Sequence, residues 1–201
     1  REGVDIHRAT AAKIWHEDLN DVSDIQRKKA KQANFGIIYG ITTFGLAQRM
    51  DITNNEAKEL IADYFKTFPK VKAYMDLSIE EARQKGYAET IFHRRRYLAD
   101  INSKNATVRG YAERNAVNAP IQGTAADIIK LAMVAIDRRL REEKLQTRMI
   151  LQVHDELNFS VPPTELEQVR HLVVEEMERA FQMRVPLVAE CGEGTNWLEA
   201  H

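Results

Sequence analysis

Ser23-Asp24-Ile25-Gln26-Arg27-Lys28-Lys29-Ala30-Lys31-Gln32-Ala33-Asn34-Phe35-Gly36-Ile37-Ile38-Tyr39-Gly40 is the stretch whose reading decides the fold. Ser23 followed three residues later by Gln26 is a capping box, in which the two side chains satisfy amide groups that a helix start leaves open. A helix is therefore expected from Asp24 to Tyr39. At about 100° per residue, positions four apart drift by only about 40°, so Arg27, Lys31, Phe35 and Tyr39 form one slowly winding stripe.

The stripe offers two cations and then two rings. An elongated ligand with an anionic end and a flat end suits that order, with phosphates against Arg27 and Lys31 and a sugar and base against Phe35 and Tyr39. A nucleoside triphosphate has this shape. Gly36 and Gly40 each cost about 0.5–1 kcal/mol relative to alanine inside a helix, so they call for a reason. Close approach of a stacked base or of another backbone is the expected one. A surface helix with a solvated basic half and a buried aromatic half fits the same spacing, which by itself leaves both readings open.

Arg-x-x-x-Lys-x-x-x-Phe-Gly-x-x-Tyr-Gly, at Arg27, Lys31, Phe35, Gly36, Tyr39 and Gly40, resembles the nucleotide-binding fingers helix of family A DNA polymerases, the bacterial DNA polymerase I group. The resemblance implies that Arg27 and Lys31 hold the triphosphate, with Lys31 also serving catalysis, that Phe35 packs on the sugar and that Tyr39 borders the templating base. It also implies that His7, in the stretch Asp5-Ile6-His7, reaches the triphosphate from the same side. Phe35 lacks the hydroxyl of tyrosine, which implies discrimination against dideoxynucleotides.

Composition sets the frame. With 201 residues, 44% of them hydrophobic, the chain can bury a core and form one or two domains. A net charge of −1 excludes a polycation that coats nucleic acid through bulk charge. Charge is regional, however: residues 25–50 hold five basic side chains and no acidic one, whereas residues 160–201 hold eight glutamates and three arginines. The single cysteine, Cys191, excludes an internal disulfide and reads as an inert buried thiol in a reducing compartment. No continuous apolar run reaches the length needed to span a bilayer and no signal peptide is visible, so a cytoplasmic protein is expected, with no membrane partner. The start at Arg1, without an initiator methionine, reads as a piece cut from something longer.

In chain order, residues 5–17 suggest a short amphipathic helix. Residues 41–45 read as a turn, and Thr53 with Glu56 makes a second capping box ahead of a helix carrying Ala57, Leu60, Ile61, Tyr64 and Phe65, whose aromatics are expected in the core. Phe68-Pro69 closes it, and a further helix is expected over 71–85. Residues 87–98 read as a hairpin, 88–92 facing 95–98 across a tight turn. Arg94-Arg95-Arg96 reads as a solvated tip, with phosphate contact the sharper alternative.

Residues 103–143 are helical in composition, and Pro120 is expected to kink or split the helix. Around that break Arg114, Asn118 and Gln122 recur at intervals of four, a polar line on an otherwise apolar helix. Glu-Arg-x-x-x-Asn-x-Pro-x-Gln-Gly-Thr-Ala-Ala-Asp, from Glu113 to Asp127, is similar to a second signature of the same polymerases. The resemblance implies that Arg114, Asn118 and Gln122 contact the primer–template in the minor groove, where correct pairs share acceptors and can be tested for shape without reading sequence. Asp127 reads as a helix support.

Residues 149–153 form a buried-strand run and 157–161 a second, so His154, Asp155 and Glu156 stand at a hairpin tip. Gln-Val-His-Asp-Glu at 152–156 is similar to the palm motif that supplies one metal-binding aspartate in this family. The implied metal ligand is Asp155, with His154 at the primer end and Glu156 tuning the site. Phosphoryl transfer to a primer 3′-hydroxyl uses two divalent cations about 3.5–4 Å apart, and magnesium takes carboxylate, phosphate and water oxygens. Beyond the hairpin, Thr164 with Glu167 is expected to cap an amphipathic helix, and 187–191 to form a last strand.

The fold class that follows is α+β: a helical fingers subdomain over 1–85, then part of a palm over 86–201 with an antiparallel sheet backed by helices. The resemblance implies primer-directed DNA synthesis by a monomer with two Mg2+ ions in the intact parent, acting on primer–template DNA and deoxynucleoside triphosphates in the cytoplasm, at the nucleoid. The family's other metal-binding aspartate belongs to a motif upstream of these residues, so the chain alone is expected to be inactive. A single-subunit RNA polymerase shares the architecture, but Phe35-Gly36 and Glu156 favour DNA. A metal phosphohydrolase would need further histidines at ligand spacing, which His7, His16, His93, His171 and His201 do not show. A non-catalytic nucleic-acid-binding module is the remaining alternative.

Overall fold

Capping chemistry sets the first helices of the computed structural model, which describes residues 5–200. The Asp5 side chain caps α1 (Ile6–Trp15). Ser23 and Gln26 form the expected box on α2 (Asp24–Ile38), which ends one residue short of Tyr39. Thr42 caps α3 (Thr43–Met50), a helix where a turn was expected. Its buried Leu46, Ala47 and Met50 pack with Ala33 and Ile37 of α2 and with Ala57 and Tyr64 of α4 (Asn54–Thr67). Burying a leucine such as Leu46 contributes about 1.5–3 kcal/mol, enough to draw so short a segment into a helix. Tyr64 is buried in this core and Phe65 packs against it, as expected.

Proline at the first position starts α5 (Pro69–Lys85) two residues early, since its missing N–H is unpaired there in any case. The ribbon that follows is shorter than expected: β1 (Tyr87–Glu89) pairs antiparallel with β2 (Arg95–Tyr97), Tyr87 opposite Tyr97. Five residues, not a tight turn, connect them. Thr90 closes that loop, its hydroxyl accepting from the amides of Phe92 and Arg94.

Helix α6 (Ala106–Glu142) runs unbroken through Pro120, so of the kink or split expected there the split does not occur. Proline removes one helical hydrogen bond, the one to the Ala116 carbonyl; the next carbonyl along, that of Val117, accepts a bond from the Tyr74 hydroxyl at 3.1 Å. By length and composition α6 could cross a bilayer, yet Ala132, Ile136 and Leu140 lie in a protein core with Val169, Leu172 and Val173.

The fold comprises two compact units, residues 5–121 and 122–200. In the second, β3 (Arg148–Val153) pairs antiparallel with β4 (Glu156–Ser160), with an irregularity between Met149 and Leu151. The strand is present but not buried: Ile150 is 64% and Leu151 48% exposed, because this sheet has only two strands. Helix α7 (Leu166–Arg179) lacks the Thr164–Glu167 cap. A 3-10 turn, Pro163–Glu165, precedes it, and the Glu165 carboxylate accepts from the amides of Gln146 and Thr147. Those bonds hold its pKa below the ordinary value. The strand expected at 187–191 does not form. A strand requires a partner edge, and this segment pairs with none among the described residues. Cys191 is consequently exposed, not buried. A short helix, α8 (Trp197–Ala200), is the last element among the described residues.

Candidate nucleotide and metal sites

Helix α2 presents its stripe to solvent. Phe35 is 46% and Tyr39 44% exposed, and their rings lie nearly parallel, 10° apart at 6.4 Å between centroids. Lys31 is exposed, and its ammonium makes no ion pair or hydrogen bond among the described residues. The opposite side of the helix supplies the core residues Ala30, Ala33 and Ile37. Of the two readings that spacing left open, the exposed aromatic half is the one observed.

Arg27 is oriented by a residue that the spacing does not reveal. One oxygen of Asp5 caps α1 through the amides of His7 (2.9 Å) and Arg8 (3.0 Å), while the other accepts from Arg27 Nε at 2.6 Å. The guanidinium is thereby anchored through Nε, and its two Nη groups keep no protein partner among the described residues. Such a fork suits a phosphate.

The bond from Arg27, then those from the Arg8 and His7 amides, hold the Asp5 carboxyl down at about 2 against an ordinary 3.8. A folded value below the unfolded one means that Asp5 stabilises the fold above pH 3.8 and that this contribution is lost as pH falls toward 2. A carbon-13 titration of the Asp5 carboxyl should find the low midpoint, and Arg27→Met should return it most of the way to 3.8.

The same junction folds His7 over the stripe. Its ring lies 5.6 Å from that of Phe35, tilted by 49°, and its Nδ1 is 3.0 Å from the side-chain nitrogen of Asn34. Asn34 is buried, and sequence reading passed over it. The available signal was an amide at a mid-helix position between the core residues Ala33 and Ile37, where asparagine has low propensity.

The glycines of α2 have a reason other than the expected one. A Cβ on Gly36 would stand 3.2 Å from the Ile41 side chain, and one on Gly40 would stand 2.8 Å from Arg114 Cγ. Side chains, not a base or a backbone, take the space. Gly40 also sits at φ +71°, a conformation that favours glycine. Its bareness lets Arg114 lie against the end of α2, so two motifs some seventy-five residues apart are brought together. Arg114 is exposed, Asn118 half-buried and Gln122 exposed along α6. The Asn118 Oδ1 is buried without a hydrogen-bond partner among the described residues.

The acid hairpin in the second unit matches expectation at its tip. His154 and Asp155 form the two-residue turn between β3 and β4, with Val153 opposite Glu156. His154 adopts φ +54°, and the Gln152 amide donates to its carbonyl at 3.0 Å. Asp155 is exposed and its carboxylate has no protein partner among the described residues, whereas Glu156 is half-buried. A free carboxylate fits one corner of a magnesium site, whose remaining ligands would be phosphate and water oxygens. Among the described residues, no cluster of three acidic, histidine or cysteine side chains could hold an ion by itself.

The described arrangement has known counterparts. Residues 1–199 match the model of DNA polymerase family A. A DNA polymerase I from Geobacillus stearothermophilus is 54% identical over 200 residues, covering the whole of this chain and 23% of the relative. One from Streptococcus pneumoniae is 50% identical over 201 residues, again 23% of its length. The POL domain of Pol1 from M. smegmatis, solved in complex with DNA primer-template and dNTP, superposes with a TM-score of 0.94 at 40% identity, covering 98% of this chain and 35% of that one. The chain thus spans about a quarter of the length of these curated relatives.

Proposed function

Because the chain belongs to DNA polymerase family A, we propose that it supplies the nucleotide-binding helix and one metal-binding carboxylate of a template-directed DNA polymerase. The observation that carries this reading is the exposed ladder of Arg27, Lys31, Phe35 and Tyr39, with His7 folded over Phe35 and, at its centre, an ammonium without a partner among the described residues. In this scheme the fingers subdomain extends over 1–85 and the palm portion over 86–201. The likeness to a polymerase domain bound to primer-template and dNTP supports the same pair of partners, and family membership favours DNA over RNA synthesis.

The proposed chemistry follows from the side chains. The Nη groups of Arg27 and the ammonium of Lys31 neutralise the triphosphate, Lys31 more strongly as charge builds on the leaving pyrophosphate. Phe35 holds the sugar and Tyr39 limits the space for the templating base. Arg114, Asn118 and Gln122 meet the minor groove, and His154 meets the primer end. Asp155 would help to hold Mg2+, which when bound supplies Lewis-acid activation of the attacking oxygen and charge compensation for the leaving group. A monomer acting in the cytoplasm, at the nucleoid, completes the proposal.

Primer extension tests it. The 201-residue chain should bind primer–template with strong salt dependence but extend nothing, while a chain lengthened upstream should add deoxynucleotides. Extension by the short chain would sink the account of the second aspartate. Absence of DNA binding by either chain would sink the proposal as a whole.

A further inference from the structure

The hydrogen bonds behind His7 decide which of its nitrogens carries the proton. The Thr10 hydroxyl lies 2.7 Å from the Ile6 carbonyl. A carbonyl cannot donate, so at that distance the hydroxyl hydrogen must point at it. Thr10 Oγ1 is then left only with lone pairs toward Asn34, 3.1 Å away, and must accept. The Asn34 amide is therefore oriented with its NH2 group toward Thr10. The same NH2 group faces His7 Nδ1 at 3.0 Å. Two donors cannot face each other, so Nδ1 accepts and the neutral imidazole carries its hydrogen on Nε2.

We propose that Asn34 is a positioning residue that, through Thr10 and the Ile6 carbonyl, fixes His7 as the Nε2–H tautomer, turning its donating nitrogen to a phosphate oxygen of an incoming nucleotide. The inference rests on the nucleotide-binding reading of α2. It gives a purpose to a 7% exposed asparagine in a helix otherwise buried through alanine, glycine and isoleucine. The relay also begins one residue after the Asp5 cap, so the helix start that orients Arg27 also sets the proton on His7. Burial of Asn34 and Thr10 makes the choice firm, because an Nδ1–H tautomer would set two N–H donors against each other at 3.0 Å.

Nitrogen-15 spectra of the histidine side chains in the 201-residue chain at pH 8 test the inference, with His7 assigned by His7→Gln. His7 is expected as the Nε2–H form without detectable Nδ1–H. Asn34→Asp replaces the donor by an acceptor and should move His7 to the Nδ1–H form. Thr10→Val keeps the shape but releases the amide, and should give a mixture. A wild-type His7 in the Nδ1–H form, or as the same mixture seen in Thr10→Val, overturns the inference without any variant having to fold. Addition of a deoxynucleoside triphosphate separates the two levels. If it perturbs His7 and Phe35 while the tautomer is wrong, the inference fails and the nucleotide reading stands. If the tautomer is right and His7 does not respond, the phosphate-directed role is overturned together with that reading.

Discussion

Asp155→Asn, placed in a chain lengthened upstream, is expected to lower primer extension by about three orders of magnitude, the several kcal/mol that a metal-held charge contributes to a phosphoryl-transfer transition state. The substitution is nearly isosteric and falls on an exposed turn residue that bonds to nothing else in the described protein, so little stability should change. Primer–template affinity should stay within a factor of about two, because asparagine removes a negative charge rather than a phosphate contact. Single-turnover extension and a binding titration on the same preparation make the measurement. If extension falls only in proportion to a weakened DNA affinity, Asp155 is not a metal ligand.

Lys31→Ala is expected to weaken deoxynucleoside triphosphate binding about 10- to 100-fold, the range for a charge-assisted hydrogen bond whose partner remains. Fluorescence quenching or calorimetry on the lengthened chain would measure it. Binding of the corresponding deoxynucleoside, which has no phosphates, should be unchanged, since Phe35 and Tyr39 remain stacked. Equal losses for nucleotide and nucleoside would mean that Lys31 shapes the helix instead of meeting phosphate.

These expectations were legible in the sequence to different depths. Two of the three expected caps were, because each is closed within four residues: Ser23 with Gln26 and Thr53 with Glu56; Thr164 and Glu167 have the same spacing, but a 3-10 turn stands there instead. The stripe on α2 was too, since helical spacing alone aligns it. Asp5, however, meets Arg27 across twenty-two residues, and no local pattern announces that. The purpose of Gly40 lies in Arg114, a contact made only when Arg114 of α6 comes up against the turn that follows α2.

Strands were the least legible for a related reason. Residues 187–191 have the composition of a strand, but composition cannot supply an edge to pair with. Residues 149–153 did find a partner in β4, yet their hydrophobicity overstated burial. Helix α3 erred in the other direction. Thr42 and Gly45 looked like punctuation, whereas Thr42 is a cap and Leu46 draws the turn into a helix.

The acid turn carries one more implication. His154 holds a left-handed backbone at φ +54°, where most residues other than glycine are strained and histidine only partly relieved. Glycine at that position would make the hairpin more robust and, in the same stroke, take away the imidazole beside Asp155. Selecting variants of this chain for heat resistance alone would therefore favour a change that disarms the tip, so a screen for sturdiness needs a second readout that senses the ring.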